Sequence, residues 1–248
     1  MKWILFLILF SEQVLANKLN ILTEHLAPYQ IVTANSIKGL STEIVEATLK
    51  ESRYAYEITA YPWALSYSRA KHAQNTCIYS LARTAEREPL FQWIGHITSI
   101  PVSLYSIKDN QISISTIEEA KNYNIAALRE DVTHQYLLTK GFIETKNLYV
   151  VDNYDSLLKL LELTSRDIDL VILNEALLKN RVKSLENVAK YKNVLKLEEL
   201  AIDLHFACSL NTEKRIVDDL FHSMGELERR GDFIKIRQEW EKKNNEFN

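Results

Sequence analysis

The chain has 248 residues, 30 Lys+Arg against 33 Asp+Glu for a net charge of -3, and only five glycines and four prolines, where average usage would be roughly 7% and 5%. Collagen-like repeats, Gly/Ser linkers and Pro-rich disorder are excluded, as is a glycine-cradled nucleotide site, because neither GxGxxG nor GxxxxGK[ST] occurs. A nearly balanced charge gives no electrostatic case for a nucleic-acid partner, while 46% hydrophobic residues can supply a large core.

Residues 1–16 read differently from the rest. Lys2, an apolar run over 3–10 and a polar stretch ending in Ala16 have the layout of a secretory signal peptide, with cleavage expected near Ala16; the run is far short of the ~20 residues a membrane span requires. Export places Cys77 and Cys208 in an oxidising compartment. Both sit in β-like runs, so they bridge if those strands are neighbours and otherwise remain two buried thiols.

Beyond this segment, short apolar runs alternate with amphipathic stretches. Residues 20–23 are expected as a strand, followed by a loop through Pro28-Tyr29 to Gly39 and a helix over 42–53 with Ile44, Val45, Thr48 and Leu49 on one face. A strand over 56–61, a helix over 63–73 and a strand over 76–81 complete a first series. A second begins near Thr116, which with Glu119 has capping-box spacing at a helix start. It continues as strand 124–128, helix 132–140, strand 148–151, helix 154–163, strand 169–173 and helix 175–183. Ile216, Val217, Leu220, Phe221, Met224 and Leu227 then recur at helical spacing. The alternation predicts an α/β architecture with largely parallel sheets, and β-rich connectors over 98–107 and 194–210 suggest two lobes with a ligand cleft between them.

No metal or cofactor signature is present: the six histidines form neither HExxH nor a zinc-spaced cluster. There is no GxSxG elbow, and Asp167 and Asp169 read as strand-end carboxylates rather than an acid/base pair. Nothing compels an enzyme. More informative is the segment from Ser80 to Glu88, where a strand runs into a polar turn carrying Arg83 and Arg87. A guanidinium held at a strand end can form a bidentate pair with a carboxylate ligand, and Tyr29 and Trp63 can wall a pocket.

Taken together, Leu22-Thr23-Glu24 through Pro28-Tyr29, the run from Gly39 to Ala47, Tyr61-Pro62-Trp63, Ala82 to Glu88, and Arg166 to Glu175 resemble the family 3 extracellular solute-binding proteins, the periplasmic receptors of polar amino acid ABC transporters. The resemblance runs from Asn20 to about Trp240. It implies a type II periplasmic-binding-protein-like fold with mixed, mostly parallel sheets and a hinge of two crossing strands, divided as lobe one (17–104), lobe two (105–204) and a return to lobe one (205–248). It further implies that Arg87 pairs with a ligand α-carboxylate, that Ser80 assists it, that Tyr29 stacks on the ligand side chain and that Trp63 forms a wall.

Two departures from the family pattern stand out. The second-lobe anion turn, a Gly-Thr or Gly-Ser in the family, falls on Arg129-Glu130-Asp131-Val132-Thr133 without a glycine, and the aspartate that meets the ligand ammonium falls at Asn174. Either Asp131 or Glu130 supplies the missing charge from the opposite rim or the ligand is not a standard α-amino acid, and Arg83 either suits a second carboxylate or is an outward-facing surface arginine. The implied function is capture of a small carboxylate-bearing solute by a monomeric, cofactor-free exported protein that serves an ABC permease. The alternatives are a dehydratase-like enzyme on the same scaffold, using Glu130, Asp131 or His134, and a stand-alone exported sensor module.

Overall fold

A computed structural model describes residues 18–163, 167–182, 185–200 and 202–246; the expected signal peptide, Arg166 and the expected helix end at Lys183 lie outside them. The first series folds as β1 (Leu19–Thr23), a small hairpin of β2 (Ile31–Val32) and β3 (Ile37–Lys38), α1 (Leu40–Ser52), β4 (Tyr56–Ala60), α2 (Trp63–His72), β5 (Thr76–Ala82) and β6 (Phe91–Ile100). Helix α1 turns Ile44, Val45, Thr48 and Leu49 inward, the face expected from their spacing, and Arg53 ends it in a left-handed conformation. Gly39, just before it, has φ 137°, and a Cβ there would lie 2.2 Å from the Tyr29 carbonyl oxygen, so only glycine fits. All seven residues of β5 are buried, as suits a central strand covered on both faces.

The chain then leaves the first sheet. It runs as β7 (Ser103–Ile107), β8 (Ile125–Leu128), α3 (Val132–Thr139), β9 (Leu148–Val151), α4 (Tyr154–Glu162), β10 (Leu170–Leu173), α5 (Glu175–Val182), α6 (Leu185–Val188) and β11 (Tyr191–Lys196). It returns as β12 (Ile202–Ser209), α7 (Lys214–Arg229) and α8 (Asp232–Glu246). Two five-stranded sheets result, ordered β4-β1-β5-β12-β6 and β11-β7-β10-β8-β9. Each has parallel strands from the βα repeats, and the connector strands add to them antiparallel: β12 on β5 and β6, β7 on β10 and β11. Sheet membership changes between Ile100 and Ser103 and between Lys196 and Ile202, slightly ahead of the divisions at 104/105 and 204/205 drawn from sequence.

The segment around Thr116 departs from expectation. The Thr116 hydroxyl accepts the Glu119 amide at 3.2 Å, but the Glu119 carboxylate reaches Ser115 rather than Thr116, and only a 3-10 turn over Glu119–Asn122 follows before β8. Helix α7 buries Ile216, Val217, Leu220, Met224 and Leu227, whereas Phe221 faces solvent. Asp169 is structural: its carboxylate accepts the Asn124 amide at 2.9 Å at the entrance of β8. Register places Cys208 opposite Cys77, and the two form a disulfide between β12 and β5 in the first-lobe core. Among the described residues, no helix is long and apolar enough to cross a membrane.

Candidate functional site

In an α/β sheet, ligands bind outside the carboxyl ends of the parallel strands, where loops and helix N-termini gather. Here such ends from both sheets face one small, largely enclosed cavity. Glu24 follows β1, Trp63 opens α2, Ser80 and Ala82 end β5, and Arg87 lies in the turn beyond; from the second sheet come Asp131 after β8 and Asn174 after β10. Leu26 and the crossing segments, through Ile100, Val102, Ile202 and Leu204, supply an apolar floor.

Arg87 is the centre of this arrangement. The turn that carries it is closed by its own amide donating to the Thr84 carbonyl at 3.1 Å, and its side chain is 1% exposed. The guanidinium lies over Tyr67 at 5.0 Å and Trp63 at 5.8 Å, within cation–π range. Nη2 donates to the Glu130 carbonyl at 2.9 Å and Nη1 to the Ala82 carbonyl at 3.4 Å, while Nε has no hydrogen-bond partner among the described residues. No carboxylate among the described residues forms an ion pair with it. Burial pulls its pKa below the usual guanidinium value, with Asp131 opposing. A buried cation served only by neutral acceptors is held at a cost, and an anion entering the cavity would relieve it.

The second-lobe wall is a helix N-terminus. Asp131 caps α3, its Oδ1 accepting the Thr133 amide at 2.9 Å and the Thr133 hydroxyl as well. Glu130, in the turn where the family pattern includes a glycine, adopts the left-handed region at φ 58°, which costs a non-glycine residue roughly 1–2 kcal/mol. Its side chain is exposed, and its carbonyl is directed across the cleft, accepting from both Arg87 and Trp63 Nε1, the latter at 3.1 Å. Asn174 caps α5, Oδ1 accepting the Leu177 amide at 2.8 Å; asparagine keeps the cap that an aspartate would supply and drops the charge. His134 is held by Glu144 at 3.0 Å and by the Glu130 amide at 3.4 Å. Of the three groups an enzyme on this scaffold was expected to use, only Asp131 lines the cavity.

Trp63, Ser80, Arg87, Asp131, Thr133 and Asn174 are therefore brought together, and two expected residues are not. Arg83 faces solvent, forms a bidentate pair with Glu88 at 2.7 Å to each oxygen, and lies over Trp93. Tyr29 is buried away from the cavity, in a turn whose carbonyls receive the first amides of α1, and burial raises its phenol to about 12. The cavity position in that loop belongs to Leu26.

Sequence reasoning missed Glu24 and Tyr154. Glu24 is 8% exposed, and burial, reinforced by Asp131 and opposed by Arg181, holds its carboxyl well above the usual range. The Tyr154 phenol is raised by burial and then by Asp131 and Glu24. A signal was available, since Glu24 directly follows the first strand of a parallel sheet. Among the described residues, no group of three His, Cys, Asp or Glu side chains is placed to hold a metal.

No protein-family model and no curated protein sequence matches the chain. Solved structures do. A histidine kinase sensor domain with similarity to periplasmic binding proteins superposes with a TM-score of 0.77 at 16% identity, over 90% of this chain and 96% of that one. The arginine-, lysine-, histidine-binding protein ArtJ of Geobacillus stearothermophilus gives 0.77 at 15% identity, over 90% and 94%. The amino acid ABC transporter substrate-binding protein AbpA of Streptococcus pneumoniae, bound to L-arginine, gives 0.74 at 16% identity, over 92% and 95%. At these identities the likeness establishes the two-lobed periplasmic-binding-protein-like fold.

Proposed function

We propose that this protein is an exported receptor that closes its two lobes over a small carboxylate-bearing solute, an amino acid or a related molecule, and presents it to an ABC permease. The observation that carries the reading is Arg87: a fully buried guanidinium lining the cavity, with an Nε that has no hydrogen-bond partner and with no ion pair to a carboxylate among the described residues. A ligand carboxylate would take the place of the Glu130 carbonyl at Nη2, forming a charge-assisted bond in a cavity from which water is largely excluded. Trp63, itself tied to the Glu130 carbonyl, would feel the same exchange. The amino-acid-binding proteins of the same fold support capture of such a solute.

Replacing Arg87 with Ala should weaken binding of a carboxylate ligand at least a hundredfold, in line with loss of a buried charge pair, while circular dichroism shows an unchanged fold. Unchanged affinity by calorimetry would refute the assignment. A second reading, a sensor module that signals rather than transports, is favoured by the likeness to the histidine kinase sensor domain; it shares the binding step and parts from the first in requiring no permease. Uptake of a radiolabelled ligand by cells with and without the gene distinguishes them.

A further inference from the structure

We propose that His134 is a positioning residue for the cleft: it takes up the Glu130 amide from behind, holds that residue in its left-handed conformation, and so keeps the Glu130 carbonyl aimed at Arg87 and Trp63. Leu128 to Asp131 form a turn closed by the Asp131 amide donating to the Leu128 carbonyl at 3.2 Å, and Glu130, the third of the four, has φ 58°. A positive φ at that place favours glycine or asparagine. A glutamate stays there only where its surroundings over-determine the conformation.

The restraints come from both sides of the residue. Towards the cleft, the Glu130 carbonyl accepts from Arg87 Nη2 at 2.9 Å and from Trp63 Nε1 at 3.1 Å, both donors belonging to the first lobe. Behind it, the Glu130 amide donates to His134 Nδ1 at 3.4 Å, and the other ring nitrogen, Nε2, meets the Glu144 carboxylate at 3.0 Å. These two contacts assign the tautomer. A ring nitrogen that accepts from an amide carries no proton, so the imidazole proton sits on Nε2, where Glu144 accepts it. Glu144 thus turns the lone pair of Nδ1 towards the turn.

His134 is only 5% exposed and does not line the cavity, so its route to the cleft runs through Glu130. Asp131 and Thr133, which do line it, are tied to each other by the α3 cap rather than to the imidazole. The contact between the lobes at Arg87 and Trp63 therefore leans on an acceptor in the interior of the second. Where the cavity takes a carboxylate, that carboxylate must displace the Glu130 carbonyl from Arg87, and His134 sets how firmly the place is held. The hold of His134 on Glu130 exists whether or not the cavity takes a solute.

Bulk and hydrogen bonding can be separated at this position. Asparagine carries an acceptor oxygen close to where Nδ1 lies but lacks the ring, whereas leucine fills the space and accepts nothing. The readout is the indole proton of Trp63 in the full mature chain, labelled with nitrogen-15 and free of added ligand at pH 8; Trp63→Phe assigns it, and Trp93 and Trp240 are internal controls. A proton shared with a carbonyl resonates downfield of a free one. His134→Leu should move the Trp63 signal upfield by more than its linewidth while the two control signals stay in place, and His134→Asn should keep it at the wild-type position. In the wild type, long-range nitrogen spectra should show Nδ1 of His134 bare and Nε2 protonated, a result that decides the matter even if a variant fails to fold. A protonated Nδ1, a leucine variant with an unmoved Trp63 signal, or an asparagine variant that moves it as far as leucine does would each overturn the assignment. Because no ligand is present, such a result leaves the solute reading standing, and that reading is decided separately by Arg87→Ala.

Discussion

On the first-lobe side of the cavity, Glu24, Ser80 and Arg87 are enclosed by protein; among the described residues the Ser80 hydroxyl and Arg87 Nε lack hydrogen-bond partners, and the Glu24 carboxylate accepts no hydrogen bond. On the second-lobe side, Asp131 and Asn174 each cap a helix, and the Thr133 hydroxyl is bonded to Asp131. The two walls contribute comparable polar chemistry and hold it differently. Apart from the contacts of Arg87 with Ala82, Glu130, Tyr67 and Trp63, side chains of the first wall have no evident structural task, so the fold tolerates them at a cost; those of the second wall are part of the folding of α3 and α5. Substitutions in the first wall should therefore affect ligand capture with little loss of stability, whereas those in the second should register first in stability.

The sharpest way to break this contrast is Asn174→Ala, which removes the α5 cap and should cost about 1 kcal/mol, read as a lower denaturation midpoint with an unchanged m-value. A variant as stable as the parent would show that the second wall is no more structural than the first. A smaller effect of opposite sign is expected from Glu130→Gly. Glycine occupies the left-handed region without strain, and the carbonyl that meets Arg87 and Trp63 is retained, so relief of strain, less the added freedom of the unfolded chain, should stabilise the protein by about 0.5–1 kcal/mol. A destabilised variant would mean that the exposed Glu130 side chain has a role beyond the turn. The smallest effect belongs to Arg83→Ala: an exposed ion pair is lost, so stability should move by less than about 0.5 kcal/mol and ligand affinity should not change.

Much of the fold could be read in advance because its signals are local. The inward face of α1, the run of β5 and the alternation of strands with helices all follow from side-chain periodicity. Antiparallel addition of β12 and β7 could not be, since connector strands have the same composition whichever neighbour they join. The site was legible where a residue type sits at a strand end, as with Ser80 and Asn174, and failed where direction matters. Arg83 and Arg87 share one irregular turn, and no periodicity there distinguishes the arginine that enters the core from the one that meets Glu88 in solvent. Tyr29 has a ring that can stack on a ligand, but the turn that closes from Leu26 to Gln30 directs the aliphatic Leu26 to the cavity. A glutamate in sequence reads as a surface residue, and only the surrounding packing makes Glu24 a buried one.

The disulfide has a consequence of another kind. It joins β5, before the second lobe is inserted, to β12, after the chain has come back, at a sequence separation of 131. Covalently, the second lobe is a loop closed at its base. A protease that nicks any loop between the two cysteines leaves both fragments tethered, and the cut molecule runs as a single species on a gel until a reductant is added. Where reductants are scarce, such damage leaves the first lobe with all of its strands.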